Sequence, residues 1–339
     1  MRAIVVGAGL VATFWMEPLR RRADLAALVE RDEETARAAV ERFGLDCPAF
    51  GSLDDALAAV PAEIVVNLTP PAHHRVVIET ALRAGCHVLT EKPLAPTFDD
   101  ARACADAARA AGLTLAVMQN RRHHPAIRRL RHEVAGGAIG RPMAFQADMS
   151  MAPRHSAGHL ADAPHPLLLE MAVHTFDQAR FLAGADAVSA SCTEFSAPHS
   201  WYAGPAAAIC TFELEGGAVF SYRGNWIAEG FATSYDAAWR ISGDRGTARW
   251  DSFGDPECEW AGGRREAWRV PIPRDATGHA ACLDELLAAL DSGRPSETDG
   301  ADNLQTLAMV FTAIRSAEER RTVAIDEILR DQAAGSPRD

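Results

Sequence analysis

No apolar run in the sequence approaches the roughly 18 residues needed to cross a bilayer. Met1-Arg2 leads directly into Ala3-Ile4-Val5-Val6, which reads as a first strand and not as a signal peptide. A cytoplasmic protein with no membrane partner is therefore expected. A basic excess is missing too. The formal charge is -12, and the short solvated run Arg20-Arg21-Arg22 is no stripe of cations interleaved with aromatics, which argues against nucleic acid as a partner. The seven cysteines, at positions 47, 86, 104, 192, 210, 258 and 282, are odd in number and never at C-x-x-C spacing. Such scatter suits reduced, mostly buried thiols better than a disulfide framework or a zinc knuckle. There is no internal repeat and no low-complexity tract. Residues 331–339, ending Ser336-Pro337-Arg338-Asp339, read as a flexible tail.

What is present is an ordinary globular composition, 48% hydrophobic and 24% charged, in a chain of 339 residues. That length exceeds the usual single core, so two domains are expected. Residues 3 to 120 alternate short apolar runs (Ala3 to Val6, Leu25 to Val29, Ile64 to Leu68, Cys86 to Leu89, Leu113 to Val117, with a shorter one at Ala49-Phe50) with helix-length amphipathic segments. This is the pattern of βαβ units on a parallel sheet. Helices are expected over Glu33 to Phe43, Ser52 to Ala59, His74 to Ala84 and Phe98 to Ala111, three of them followed by a C′ glycine at Gly44, Gly85 and Gly112. A linker with one helix, Pro125 to Val134, follows. From about residue 143 the sequence turns β-rich, with strands expected over Val188 to Glu194, Ala206 to Leu214, Ala218 to Trp226, Ala237 to Ser242 and Thr247 to Trp250 and a hairpin turn at Glu215-Gly216-Gly217. Two helices, Ala280 to Leu290 and Asn303 to Arg320, close the chain. The expected fold class is α/β, with a dinucleotide-binding domain over 1–121 and an α+β domain with a mainly antiparallel sheet over 122–330.

Gly7-Ala8-Gly9-Leu10-Val11-Ala12 follows the first strand and opens a helix, matching the dinucleotide fingerprint with alanine in the third glycine position. Its glycines allow a tight turn and close approach to a pyrophosphate, which free N–H groups of the helix start then stabilise. Glu30 ends the second strand, placed to accept hydrogen bonds from the adenosine ribose. A carboxylate there repels a 2′-phosphate and favours NAD, while Arg31 and Arg37 leave NADP open. Thr69, in Asn67-Leu68-Thr69-Pro70-Pro71, would lie beside the cofactor at the strand ends, just before His73 and His74. Lys92, in Thr90-Glu91-Lys92-Pro93, stands where a buried parallel strand runs into its loop, the position where open α/β sheets bind ligands.

On the segment Pro166 to Leu182, read as one helix started by Pro166 and ended by Gly184, residues Glu170, His174 and Asp177 fall on one face. An imidazole between two carboxylates suits proton transfer near neutrality. His155, His159, His165, Glu170 and His174 also admit a metal reading. The prolines and glycine around His155 and His159 favour a loop over a chelating helix, and no metal is expected.

Gly7-Ala8-Gly9, Thr69-Pro70, the stretch Ala84 to Ala95, Asn120-Arg121-Arg122-His123-His124-Pro125 and His174-Thr175-Phe176-Asp177, in this order and spacing, resemble the glucose-fructose oxidoreductase and inositol dehydrogenase family, Gfo/Idh/MocA, over nearly the whole chain. The resemblance implies an N-terminal Rossmann domain and a C-terminal domain whose large open sheet forms the interface of a homodimer or homotetramer. It implies hydride transfer between nicotinamide and a carbinol or keto carbon of a sugar, cyclitol or related polyol. Lys92 would bind the reacting oxygen and the nicotinamide ribose, His174 would be the general base or acid, and Glu170 stands where the family usually has Asp. Leu10, Val11, His74, Glu91 and Asn120 join the cofactor contacts, with Glu91 positioning Lys92. Arg154, His155, His165, Asp177, Trp201, Tyr202, Trp226 and Tyr235 are the candidate substrate contacts. A reductase of another C=O, C=N or C=C bond and a non-catalytic dinucleotide-binding regulator are the alternatives.

Overall fold

The computed structural model describes residues 1–153, 160–270 and 278–330. The first unit begins with β1 (Arg2–Val6), α1 (Ala12–Arg22), β2 (Asp24–Val29), α2 (Glu33–Phe43), β3 (Ala49–Phe50), α3 (Leu53–Ala59), β4 (Ile64–Asn67), α4 (His74–Arg83), β5 (His87–Thr90), α5 (Phe98–Ala111) and β6 (Leu115–Val117). Its six strands are ordered β3-β2-β1-β4-β5-β6 and all pair in parallel. Helices cover such a sheet on both faces, and accordingly β1, β2 and β4 are near-continuous buried apolar runs. Local chemistry sets the helix ends. Asp32 accepts from the Thr35 N–H at 2.8 Å, Ser52 from Asp55 at 3.2 Å and Thr97 from Asp100 at 3.1 Å, while Gly44 and Gly112 close α2 and α5 in the left-handed region at φ 58° and 64°.

The second unit contains α6 (Pro125–Ala135), β7 (Pro142–Ser150), a π-turn at Leu168–Ala172, α7 (Val173–Ala183), β8 (Ala187–Phe195), β9 (Ala207–Leu214), β10 (Val219–Asn225), β11 (Ala238–Gly243), β12 (Gly246–Trp250), β13 (Glu257–Trp260) and β14 (Arg265–Ala267). The expected hairpin is present, with β9 and β10 antiparallel through Gly216 and Gly217 at positive φ. The longest strand missing from the sequence reading, β7, is central to the sheet, pairing in parallel with β10 and antiparallel with β11. Its alanine-rich sequence, Pro142-Met143-Ala144-Phe145-Gln146-Ala147-Asp148, has little of the β-branched signature by which strands are recognised. On one sheet face Phe176 of α7 packs edge-on against Phe212 and Tyr222. Along β9 the buried Cys210, Phe212 and Leu214 alternate with exposed Ile209, Thr211 and Glu213.

The chain then supplies α8 (Gly278–Ser292), α9 (Gly300–Glu319), β15 (Val323–Ala324), which pairs with β8, and α10 (Ile325–Arg330). This corrects the single cut expected after residue 121. The described residues from 278 to 304 belong to the first unit, and the second resumes at 305. The cause is burial: Cys282, Leu283 and Leu286 of α8 share a core with Trp15, Met16 and Leu19 of α1. The second unit's nine strands run β14-β13-β12-β11-β7-β10-β9-β8-β15. Among the described residues no helix is long and apolar enough to cross a membrane.

Candidate active site

In the first unit the strand order reverses direction at β1 and β4, the crevice position for a dinucleotide. Gly7 sits at φ 101°, and a Cβ there would lie 2.8 Å from the carbonyl carbon of Leu68. Only glycine meets both demands. At Gly9 a Cβ would find nothing within 4 Å, so the backbone is open to an approaching phosphate. No side chain caps α1, and Leu10 is 79% exposed, with Val11 beside it at the surface. Glu30 accepts from the Ala8 N–H at 3.1 Å and the Arg31 N–H at 2.9 Å, and Arg42 donates to the Ala8 carbonyl at 3.1 Å. The glycine loop is thus fixed by a carboxylate that keeps further acceptor capacity for ribose hydroxyls. Arg31 is exposed, whereas Arg37 is paired on the helix surface with Glu33 at 2.6 Å. These residues fit a dinucleotide.

The ends of β4 and β5 are tied together by buried polar side chains. Asn67 donates to the Thr90 hydroxyl at 3.0 Å and accepts from the Thr69 hydroxyl at 2.7 Å. Glu91 is buried. It accepts from the Trp15 indole N–H of α1 at 2.6 Å and from the Lys92 N–H at 3.1 Å, and His279 of α8 lies 3.8 Å from the same carboxylate. Glu91 therefore positions the loop. His74 is fully buried, with Nε2 2.9 Å from the Thr69 carbonyl and Nδ1 2.9 Å and 3.3 Å from those of Pro93 and Leu94. The ring, read from the sequence as a cofactor contact, faces backbone carbonyls at both nitrogens. Burial pushes the His74 pKa down, against the carbonyl contacts that raise it, and the Lys92 charge lowers it further. The Lys92–Pro93 peptide is cis, and Lys92 itself is half-buried. It is the only lysine in the chain, every other member of the 34 Lys and Arg being arginine. Asn120 is half-buried after β6, its Oδ1 buried without a hydrogen-bond partner.

In the second unit the expected single helix from Pro166 is interrupted by the π-turn, which contains Glu170. Its i→i+5 bonding breaks the α-helical register between Glu170 and His174, so the two are not stacked as i and i+4 neighbours. From Met171 to Arg180 every residue is buried, with His174 only 4% exposed. Asp177, read from the sequence as a substrate contact, is 1% exposed. Its carboxylate is held by Arg122 through bonds of 2.9 Å and 2.5 Å in a buried ion pair. His165 is likewise taken, with Nδ1 2.6 Å from Glu194 and Nε2 3.4 Å from Glu318. The Glu194 bond raises its pKa against the opposing effect of burial. Trp226 is buried and stacks on Tyr202 at 5.6 Å, and Tyr202 packs against Trp201 at 5.8 Å. Arg121 stands over the Tyr235 ring at 5.1 Å and 3.6 Å from Asp236. Burial draws the Arg121 pKa down, while Asp236 and Glu170 draw it back up. Glu170, Arg121, Tyr202, Tyr235 and Asp236 are thus electrostatically linked. Arg154, His155 and His159 lie outside the described residues.

A family model described as an oxidoreductase family with an NAD-binding Rossmann fold matches residues 1–119, and the model of the GFO/IDH/MocA C-terminal domain matches residues 127–249. The chain belongs to the Gfo/Idh/MocA oxidoreductase family. This family member is 30% identical to D-apiose dehydrogenase from Paraburkholderia graminis, over 90% of this chain and 84% of that one. It superposes on an oxidoreductase from Agrobacterium radiobacter, solved with NAD+, L-tartaric acid and magnesium, with a TM-score of 0.88, 23% identity and coverage of 97% and 99%. UDP-N-acetylglucosamine 3-dehydrogenase from Acidithiobacillus ferrooxidans gives 0.80 at 25% identity, covering 94% of this chain and 98% of that one. The first unit is an NAD-binding Rossmann domain.

Several site residues of this Gfo/Idh/MocA member are silent in the sequence reading. Trp15 and His279 converge on Glu91 from α1 and α8, yet neither belongs to a local motif. Asp236 and the pairing of Arg122 with Asp177 are equally nonlocal. Lys92 did leave a compositional signal, the absence of any second lysine. Arginine is always charged and forked, while lysine is a compact point charge, so a chain built on arginine that keeps one lysine marks a position where the two are not interchangeable.

Proposed function

We propose that the protein is an NAD-dependent dehydrogenase or reductase that acts on a carbinol or keto carbon of a sugar, cyclitol or related polyol. The observation that carries this reading is Lys92: the sole lysine, at the carboxyl end of a Rossmann strand, on a loop fixed from beneath by Glu91 and His74. Relatives named D-apiose dehydrogenase and UDP-N-acetylglucosamine 3-dehydrogenase support the substrate class. Gly7, Gly9, Leu10, Val11, Glu30 and Thr69 hold the NAD, which supplies hydride acceptance or donation when bound. Lys92 places an ammonium at the reacting oxygen, where negative charge develops, and His174 accepts the hydroxyl proton or returns it. Glu170 orients substrate hydroxyls beside Arg121 and Tyr202. The uncovered face of the nine-stranded sheet, with Ile209 50% and Val219 40% exposed, makes the contact of a homodimer or homotetramer.

The test is Lys92→Ala, assayed against a polyol and keto-sugar panel. Turnover is expected to fall by about three orders of magnitude, with NADH affinity held within roughly tenfold, the signature of a contact made in the transition state. Near-normal turnover would overturn the assignment.

A further inference from the structure

We infer that His74 is a positioning residue for Lys92, acting by joining the loop after β4 to the loop after β5. The inference rests on the reading of Lys92 given above. The need for such a residue follows from the sequence. These loops contain Pro70, Pro71, Pro93 and Pro96, and proline has no N–H to donate. Backbone donors are therefore scarce where the carbonyls of Thr69, Pro93 and Leu94 must be satisfied, and a buried carbonyl left unmet is costly. His74, the first residue of α4 and 0% exposed, turns one rigid ring to all three: as the neutral Nδ1–H tautomer it donates to the Pro93 and Leu94 carbonyls, with Nε2 2.9 Å from that of Thr69. An imidazole suits this because His74 itself stands at the end of the loop after β4, so a single Nδ1–H reaching the Pro93 and Leu94 carbonyls links that loop to the one after β5. Lys92 precedes Pro93 directly, so the ring's grip on the Pro93 and Leu94 carbonyls sets where the Lys92 backbone stands. Asn67 braces the same strand ends through Thr69 and Thr90, but the loop beyond Pro93 is met by His74.

The single lysine makes the idea measurable apart from catalysis, because protein labelled with 13C at the lysine ε-carbon reports Lys92 as the only side-chain signal. In the wild type, NADH is expected to shift that signal. In His74→Phe, which keeps a ring and removes both nitrogens, the signal should move toward that of unstructured lysine and lose its response to NADH. Turnover should drop about 100-fold, as expected when a reacting group is misplaced by an ångström or so, with NADH affinity within roughly threefold of wild type. His74→Asn keeps one amide where Nδ1 stands and should recover at least about tenfold of that loss, the behaviour of a restored contact. It also decides the matter alone if the Phe variant does not fold. An unmoved lysine signal with near-normal turnover in either variant overturns the inference, as does NADH affinity that falls as far as turnover. Should Lys92→Ala retain turnover while His74→Phe displaces the lysine signal, the role given to Lys92 fails and the positioning by His74 stands.

Discussion

The Lys92 loop and the His174 helix are built by opposite means. The loop is held mainly by groups at neighbouring strand ends, with Trp15 of α1 the distant addition: Glu91 accepts from the Lys92 N–H, Asn67 donates to Thr90 and accepts from Thr69, and the His74 ring faces the Pro93 and Leu94 carbonyls. The helix is held mainly by partners far along the chain, with Asp177 on Arg122, Gln178 on the Arg121 carbonyl at 3.2 Å and Arg180 on Thr306, its nearby partner being Asp186. A site made from strand ends inherits its geometry from the sheet register. One made on a buried helix needs its own charges neutralised before the helix can be buried at all. The difference explains why the loop's supports lie near its motif, while those of the helix motif His174-Thr175-Phe176-Asp177 lie mostly elsewhere in the chain.

The sharpest way to break this contrast is Arg122→Ala. It leaves the Asp177 carboxylate buried and unpaired and is expected to cost about 3–5 kcal/mol of stability. Chemical denaturation should place that loss in the second unit, with NADH still bound by the first. Equal loss of NADH affinity would show that the two regions are not separately built. Trp15→Phe removes the indole donor to buried Glu91, a hydrogen bond to a charged group worth about 1.5–3 kcal/mol. Here turnover should fall further than thermal stability, measured side by side. In Glu30→Ala the NAD affinity should weaken by about tenfold, or 1.4 kcal/mol, and the NADP affinity by less. Equal weakening in titrations of both would mean that Glu30 serves only to hold Ala8.

The smallest effect is pH-linked. His165 has its folded pKa raised, chiefly by the Glu194 hydrogen bond. A raised histidine contributes stability that is fully present below its unfolded value, about 6.5, and is lost as pH rises through the folded value. The melting temperature difference between wild type and His165→Gln should therefore be larger at pH 6 than at pH 8.5. A difference that grows with pH would exclude the charged pairing with Glu194.

Much of the first unit was legible because its signals are local. Capping residues, C′ glycines and apolar runs placed α2, α3, α5 and every strand of the parallel sheet to within a residue or two. Gly7, Glu30 and Lys92 stand just beyond the ends of β1, β2 and β5, where the sequence places them. The second unit was read less completely. Strand β7 lacked β-branched residues, β13 and β14 are short, and the π-turn inside the Pro166 segment has no sequence signature. The partners of Asp177 and His165 were not legible for one reason: a charged side chain next to a catalytic candidate looks available until its buried partner is known, and Arg122 and Glu194 lie 55 and 29 positions away.

The sequence by itself determined the parallel sheet, the dinucleotide loop and the place of Lys92, since each depends on residues close together in the chain, and it determined the family through the order and spacing of such local motifs. Only the tertiary structure decided that α8 returns to the first unit, that the buried His74 ring faces the carbonyls of Thr69, Pro93 and Leu94, and that Asp177 pairs with Arg122. Those outcomes turn on which groups lose their water together, and burial is a property of chain segments meeting in space, not of their order along it.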